Sequence, residues 1–440
     1  MRNTRIQIYS HLAVSLFFIC TTLSAQVTFD DNFTDATLRL DYIFTGNATS
    51  QHIALDELST SPHWYGKRIH IDSVPIVGNG QIVARDAVTG KVVYRNSFST
   101  LFQEWLTYDE AQTQTRAFEN VFLMPMPKKE VDVSVTLYNN RRQPVASLTH
   151  RVNPHDILIR HSGEKQRTPF RTIQAASDTT RCIHIAYVAE GYRNDEMNAF
   201  IEKVHEANEA LFAHEPFHSM RDRFHIIAVM APSEESGTSQ PKEGIWKNTA
   251  LGSHFDTFYS NRYLTTLRLK RLHDWLAGIP YEHIIILVNT DHYGGGGILN
   301  SYNLSMTRHS LFKPVVVHEF GHSFAGLADE YAYENESIPM YPTDVEPWEA
   351  NITTRVDFAS KWQDMLTKPK GGKGKPKKVM LAKPYQQDIP PEIGLFEGAG
   401  YSLKGVWRPC KDCRMRTNEN PEFCPVCQRA IQRVIDFYTK

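Results

Sequence analysis

Val315-Val-Val-His318-Glu319-Phe-Gly-His322-Ser-Phe-Ala-Gly326-Leu-Ala-Asp329-Glu330-Tyr331 is the stretch on which the reading of this chain turns. On a helix, side chains four residues apart lie one above the other on the same face. His318 and His322 can therefore offer two imidazole nitrogens to one Zn2+ at the roughly 2.0–2.1 Å that the ion requires. Glu319 stands beside the first histidine, where it can hold a metal-bound water and take its proton. Zinc lowers the pKa of such a water toward about 7, so the base works at neutral pH. Gly326 is expected to stop the helix in a left-handed conformation. A turn there would bring a third ligand back to the metal and leave the fourth position open. Asp329, three residues past the glycine, is the expected ligand, with the adjacent Glu330 as the alternative.

Working outward, the apolar run Ile284–Val288, then Asn289-Thr-Asp-His-Tyr293 and Gly294–Gly297, precede this stretch. A strand ending in glycines lets another backbone approach closely, and an extended peptide can add itself to such an edge. Ile183–Val188 and Phe224–Met230 are further strand-like runs, separated by a helical pattern that ends near Ala213. Strands alternating with helix-length segments predict an α/β arrangement for residues 179–440. On the other side, Cys410-Lys-Asp-Cys413 and Cys424-Pro-Val-Cys427 place two Cys-x-x-Cys pairs ten residues apart. Four thiolates at that spacing suit a closed, structural Zn2+ site, and two disulfides are the alternative in an oxidising compartment. Cys182, in Cys-Ile-His-Ile-Ala-Tyr-Val, reads as a buried core thiol.

Residues 27–155 have a different pattern. Leu38, Leu40, Tyr42 and Phe44 alternate along one segment, and Val131, Val133, Val135 and Leu137 along another, with a polar turn beginning at Asn139-Asn140. Period-two strands at short intervals, without a long helical pattern, predict a β-sandwich. Residues 156–178 are polar and mixed and read as a linker. Residues 368–378, a lysine- and glycine-rich run, read as a solvated surface loop. At the other end, Arg2 and Arg5 precede an apolar run from Leu12 to Cys20 and then Thr-Thr-Leu-Ser-Ala25. That order predicts a signal peptide over residues 1–25, cleaved after Ala25. Lipidation at Cys20 is disfavoured by the large Phe18 and Ile19 before it. The run is short for a membrane span and no later segment reaches that length.

A formal net charge of −1 over 440 residues provides no global field to recruit nucleic acid or an anionic membrane. The chain is thus expected to be exported, to the periplasm, the cell surface or the medium, with no nucleic-acid partner and no integral membrane segment after cleavage.

The His318–His322 run, a third ligand beyond a glycine, and Cys413-Arg-Met415 together resemble the metzincin type of zinc peptidase, with Met415 at the methionine turn beneath the metal. Gly326 lies four residues after His322 where that type has three, and an aspartate stands where most members use histidine. More closely, the chain resembles the IgA-peptidase family of bacterial metallopeptidases in His318–Tyr331, Phe396-Glu-Gly-Ala-Gly-Tyr401, Trp407-Arg-Pro, Cys413-Arg-Met-Arg416 and Phe423-Cys-Pro-Val-Cys427. The resemblance implies an N-terminal β-sandwich followed by a metzincin-like catalytic domain. It also implies zinc endopeptidase activity on a protein or peptide, with His318, His322 and Asp329 as ligands and Glu319 as base. Tyr331 and Tyr401 are candidates for stabilising the oxyanion. Two other readings stand beside it: a binding protein for host glycan or protein on a peptidase-like scaffold, and a zinc amidase acting on cell-wall peptide.

Overall fold

The computed structural model describes residues 27–333, 340–366 and 392–440. The expected leader over 1–25, with Cys20, and the lysine-rich run 368–378 lie outside the described residues. No helix among the described residues is long and apolar enough to cross a membrane.

Eight strands fill the N-terminal third: β1 Phe33–Gly46, β2 Gln51–Pro62, β3 Gly80–Asp86, β4 Val92–Phe98, β5 Arg116–Pro127, β6 Val131–Tyr138, β7 Pro144–Val152 and β8 Arg160–His161. They form two four-stranded sheets, ordered β5-β1-β2-β8 and β4-β3-β6-β7. The period-two residues of β1 and β6 are buried in one shared apolar cluster. Phe44 of β1 lies 6.2 Å from Phe98 of β4, ring centroid to centroid, and Tyr42 reaches His150 of β7 at 2.6 Å, so the two sheets face each other. The outer face of β1 departs from the polar-outward pattern of a solvated sheet. Arg39 and Asp41 are buried there, with Arg39 paired to Asp41 at 2.7 Å and to Asp274 at 2.6 Å. The guanidinium is tolerated because two carboxylates hold it.

The second half is built on a six-stranded sheet comprising β9 Phe170–Gln174, β10 Ile183–Glu190, β11 Phe224–Val229, β12 His283–Val288, β13 Gly295–Ile298 and β14 Tyr302–Met306. Its order is β13-β14-β12-β10-β11-β9, with β11, β10, β12 and β14 parallel and both edge strands antiparallel. The parallel strands read as continuous apolar runs because both faces are covered. Ile183, Ile185 and Tyr187 pack with the helices Met197–Phe212, Phe312–Ala325 and Pro425–Thr439. Ala186, Val188, Ile284 and Ile286 face the other way, into the cluster that also fills the N-terminal sheets. A two-stranded hairpin, β15 Phe396–Ala399 and β16 Ser402–Arg408, completes the fold.

Residues 156–178, expected as a linker, contain two strands: β8 extends the sheet of β2, and β9 extends the sheet of β11. Both are largely exposed edge strands. Their side chains show no burial alternation, so periodicity could not reveal the pairing.

Gly295–Gly297 form most of the edge strand β13, with Gly294 just before it, rather than the end of β12. The backbone that approaches them is this chain's own. A Cβ at Gly297 would lie 2.4 Å from the carbonyl oxygen of Glu319, and one at Gly294 would lie 2.2 Å from that of Arg262. The outer edge of β13 is already engaged: Leu264 donates to the Gly295 carbonyl, and Gly295 to that of Arg262, each at 3.3 Å. Gly297→Ala is therefore expected to destabilise the protein by about 1–3 kcal/mol, the usual cost of overpacking, seen as a lower midpoint of urea unfolding. An unchanged midpoint would mean that the helix Phe312–Ala325 does not depend on this close contact.

Candidate metal centre

The helix Phe312–Ala325 is apolar on most of its surface, and its last turn closes on Gly326, at φ 58° and ψ 34°. Gly326 donates to the His322 carbonyl at 3.0 Å and Leu327 to the Gly321 carbonyl at 3.2 Å. These bonds satisfy the helix end and send the chain back beneath its own last turn. The return brings Asp329 Oδ1 to 3.1 Å from His318 Nε2 and 3.3 Å from His322 Nε2, with the two Nε2 atoms 3.0 Å apart. Donor atoms of a tetrahedral ion with bonds near 2.1 Å lie about 3.4 Å apart, so the three groups can close on one ion with small adjustments.

The other nitrogen of each imidazole decides which atom faces the metal. His318 Nδ1 lies 3.0 Å from the Arg414 carbonyl, and His322 Nδ1 lies 2.6 Å from the Leu327 carbonyl. A carbonyl only accepts, so each Nδ1 carries a proton, and Nε2 is the ring atom turned toward the shared centre. Two imidazole nitrogens and a carboxylate are the donor chemistry of a catalytic zinc site.

Without an ion, the same groups pair with one another. Burial works against a charged His322, yet the Asp329 carboxylate overrides it and lifts the imidazolium to about 9 in the metal-free chain. Burial likewise opposes the Asp329 anion, but His322 and the bonds from both histidines hold its pKa well below the usual value. Tyr401 donates to Asp329 Oδ2 at 2.6 Å, and the Tyr331 hydroxyl stands 3.1 Å from that of Tyr401. Tyr401, a candidate for the oxyanion, is thus engaged with the expected third ligand, Asp329. It sits at φ 59° in the turn between β15 and β16, where Gly400 donates to the Asp329 carbonyl at 2.9 Å and Tyr401 to that of Tyr331 at 3.1 Å. A non-glycine residue held at that φ is strained backbone kept in place by its surroundings.

Glu319 projects toward β13: a Cβ on Gly295 would lie 2.7 Å from its Oε1. Burial raises its pKa despite the two histidines. The 262–264 segment that closes this side is anchored from the N-terminal half, because Tyr263 donates to Glu104 Oε2 at 2.6 Å. Burial pushes the Glu104 carboxyl up to about 7. Arg262 lies over the Tyr331 ring, 5.8 Å from its centroid. Glu104 and Arg262 had no signal in the sequence, since neither lies in a motif nor close in the chain to the histidines. Met415 is buried against the middle of the helix, its Sδ 2.8 Å from where a Cβ on Gly321 would be.

Glu330, the alternative third ligand, points away from the histidines. It is grouped with Cys413, Cys424 and Cys427, whose ligand atoms and a Glu330 carboxylate oxygen all lie within 4.8 Å of one another. Cys410 is buried beside Cys424 but falls outside that group. The four cysteines of the expected structural site are therefore adjacent, with a carboxylate inserted among them.

Tyr401→Phe removes one bond to a ligand without touching the metal. It is expected to weaken metal binding at the histidine site about 10-fold, toward the low end for such supporting groups, while Asp329→Ala abolishes it. Competition with a fluorescent chelator measures both, and equal affinities in Tyr401→Phe and wild type would remove Tyr401 from that role.

A model of the family described as IgA Peptidase M64 matches residues 172–383 and 373–435, and a model of the Peptidase M64 N-terminus matches residues 28–149. No curated protein matches the chain. Together the two models span both halves of the fold, and the chain belongs to the IgA peptidase M64 family of metallopeptidases.

Proposed function

We propose that this peptidase is an exported zinc endopeptidase, working outside the cytoplasm after loss of residues 1–25. His318, His322 and Asp329 would hold the ion, and Glu319 would serve as base. In this reading the N-terminal pair of sheets is a β-sandwich, and the catalytic half is metzincin-like with Met415 at its methionine turn. The observation that carries the reading is the convergence of His318 Nε2, His322 Nε2 and Asp329 Oδ1 while both Nδ1 atoms are held by carbonyls.

When bound, a divalent ion supplies Lewis acidity, favouring deprotonation of water and polarising the scissile carbonyl. The chain's residues account for the rest. Asp329 lowers the charge of the ligand set and is itself oriented by Tyr401. Glu319, not among the three ligands, accepts the proton of the attacking water and passes it to the leaving amine. A placed base has no purpose in a binding scaffold, which favours the enzymatic reading over a glycan- or protein-binding one. A zinc amidase would use the same groups on the same bond type.

Glu319→Gln keeps the size and hydrogen-bonding capacity of the side chain but cannot take the proton. Peptide hydrolysis is expected to fall by roughly 10^2–10^4-fold, with one zinc still bound at the histidines by elemental analysis. A variant with wild-type turnover would exclude Glu319 as the base.

A further inference from the structure

Behind the first centre lies a second cluster that the proposed chemistry does not use. Cys413, Cys424 and Cys427 converge with Glu330, and all four side chains are buried. Cys427 Sγ is 3.1 Å from Glu330 Oε1 and 3.8 Å from Cys413 Sγ. The backbone N–H of Cys424 points at Cys413 Sγ, at 3.1 Å, an arrangement that favours a thiolate there. Asn351 donates to Glu330 Oε1 at 3.0 Å, while Oε2 has no hydrogen-bond partner. A fully buried carboxylate whose polar neighbours are an amide and a thiol is costly unless something else compensates it.

We propose that Cys413, Cys424, Cys427 and Glu330 form a second, closed site for a thiophilic divalent cation of the Zn2+ class. Three sulfurs and one oxygen match the tetrahedral preference and ligand chemistry of that ion. Three thiolates, a carboxylate and a divalent ion sum to −2. Arg408, whose field acts on Glu330, and Arg414, whose field is coupled to Cys413, offset it. The site differs from a four-cysteine one in its fourth ligand: Glu330 converges with Cys413, Cys424 and Cys427, while Cys410 stands beside Cys424.

The choice of Glu330 has a consequence for the first centre. Glu330 follows Asp329 directly, and its N–H donates to the Met415 carbonyl at 2.8 Å. The neighbouring Arg414 carbonyl orients His318. An ion holding Cys413 and Glu330 thereby fixes two chain segments, one carrying Asp329 and the other the His318 partner. This consequence rests on the reading of the first centre; the second site itself does not.

The test separates the two centres by dismantling the first. In the full-length protein with His318→Ala and His322→Ala, elemental analysis after dialysis should find one zinc per chain. Alkylation in denaturant with chelator, without reductant, should label the four clustered cysteines. Adding Glu330→Gln or Cys427→Ser should weaken zinc retention at least tenfold, while Cys410→Ser should retain it. Failure of a variant to fold is covered by Co2+ loaded into the wild-type chain, because the histidine site contributes no thiolate. Sulfur-to-cobalt charge-transfer intensity corresponding to three thiolates supports the proposal, and four overturns it. Clustered cysteines that alkylate only after reduction, with no bound metal, would also overturn it in favour of disulfides. So would zinc kept in Glu330→Gln but lost in Cys410→Ser.

Discussion

How the chain leaves its central helix at Gly326 governs the rest of the molecule's chemistry. The left-handed conformation there costs glycine little and other residues about 1 kcal/mol or more. It turns the backbone so that the Leu327 carbonyl meets His322 Nδ1 and Asp329 arrives opposite both histidines. The turn is also crowded. A Cβ on Gly326 would lie 2.6 Å from the Trp348 ring and 3.3 Å from Ile76. Trp348 is itself held by Asn79 of the N-terminal half, its Nε1 donating at 2.7 Å. A single glycine thus joins the helix end, Asp329 and the N-terminal half.

That last connection is one of several. The N-terminal sheets share an apolar cluster with one face of the six-stranded sheet, so they form part of its packing. Buried polar groups reinforce the contact: Arg39 reaches Asp274, Glu282 accepts from the Lys67 backbone at 3.2 Å, and Glu104 accepts from Tyr263. Lys67 Nζ donates to the carbonyls of Ser73 and Arg95 at 2.5 and 2.8 Å, which satisfies an ammonium that burial lowers to about 7. A buried donor or acceptor left unpaired costs more than the bond's net contribution, so these contacts hold the two halves in register. The wall beside Glu319 therefore depends on residues more than a hundred positions away in the chain.

Metal-site geometry is supported in layers. Asp329 is flanked by Tyr401, whose strained turn is tied by two backbone bonds to the segment 329–331. His318 depends on a carbonyl in the cysteine-rich segment, which reaches the central helix through Met415. Rigid support of this kind lowers the reorganisation needed when charge develops during a reaction.

What local sequence could determine, it determined through period and spacing. Histidines four apart share a helix face wherever that helix sits, a glycine after the last turn favours the left-handed stop, and long apolar runs must be buried on both sides. β10, β11 and β12 and the alternation in β1 and β6 were legible for that reason. The tertiary structure decided matters that depend on backbone groups and on distance along the chain. The carbonyls of Arg414 and Leu327 select Nε2 of each histidine, and a carbonyl has no side-chain signature. β8 and β9 are edge strands whose exposed side chains carry no periodic signal. Asp329 and Glu330 have the same functional group and adjacent positions, so ligand chemistry alone could not separate them. The turn sends one toward the histidines and the other toward the thiols, because successive side chains of an extended segment point to opposite sides.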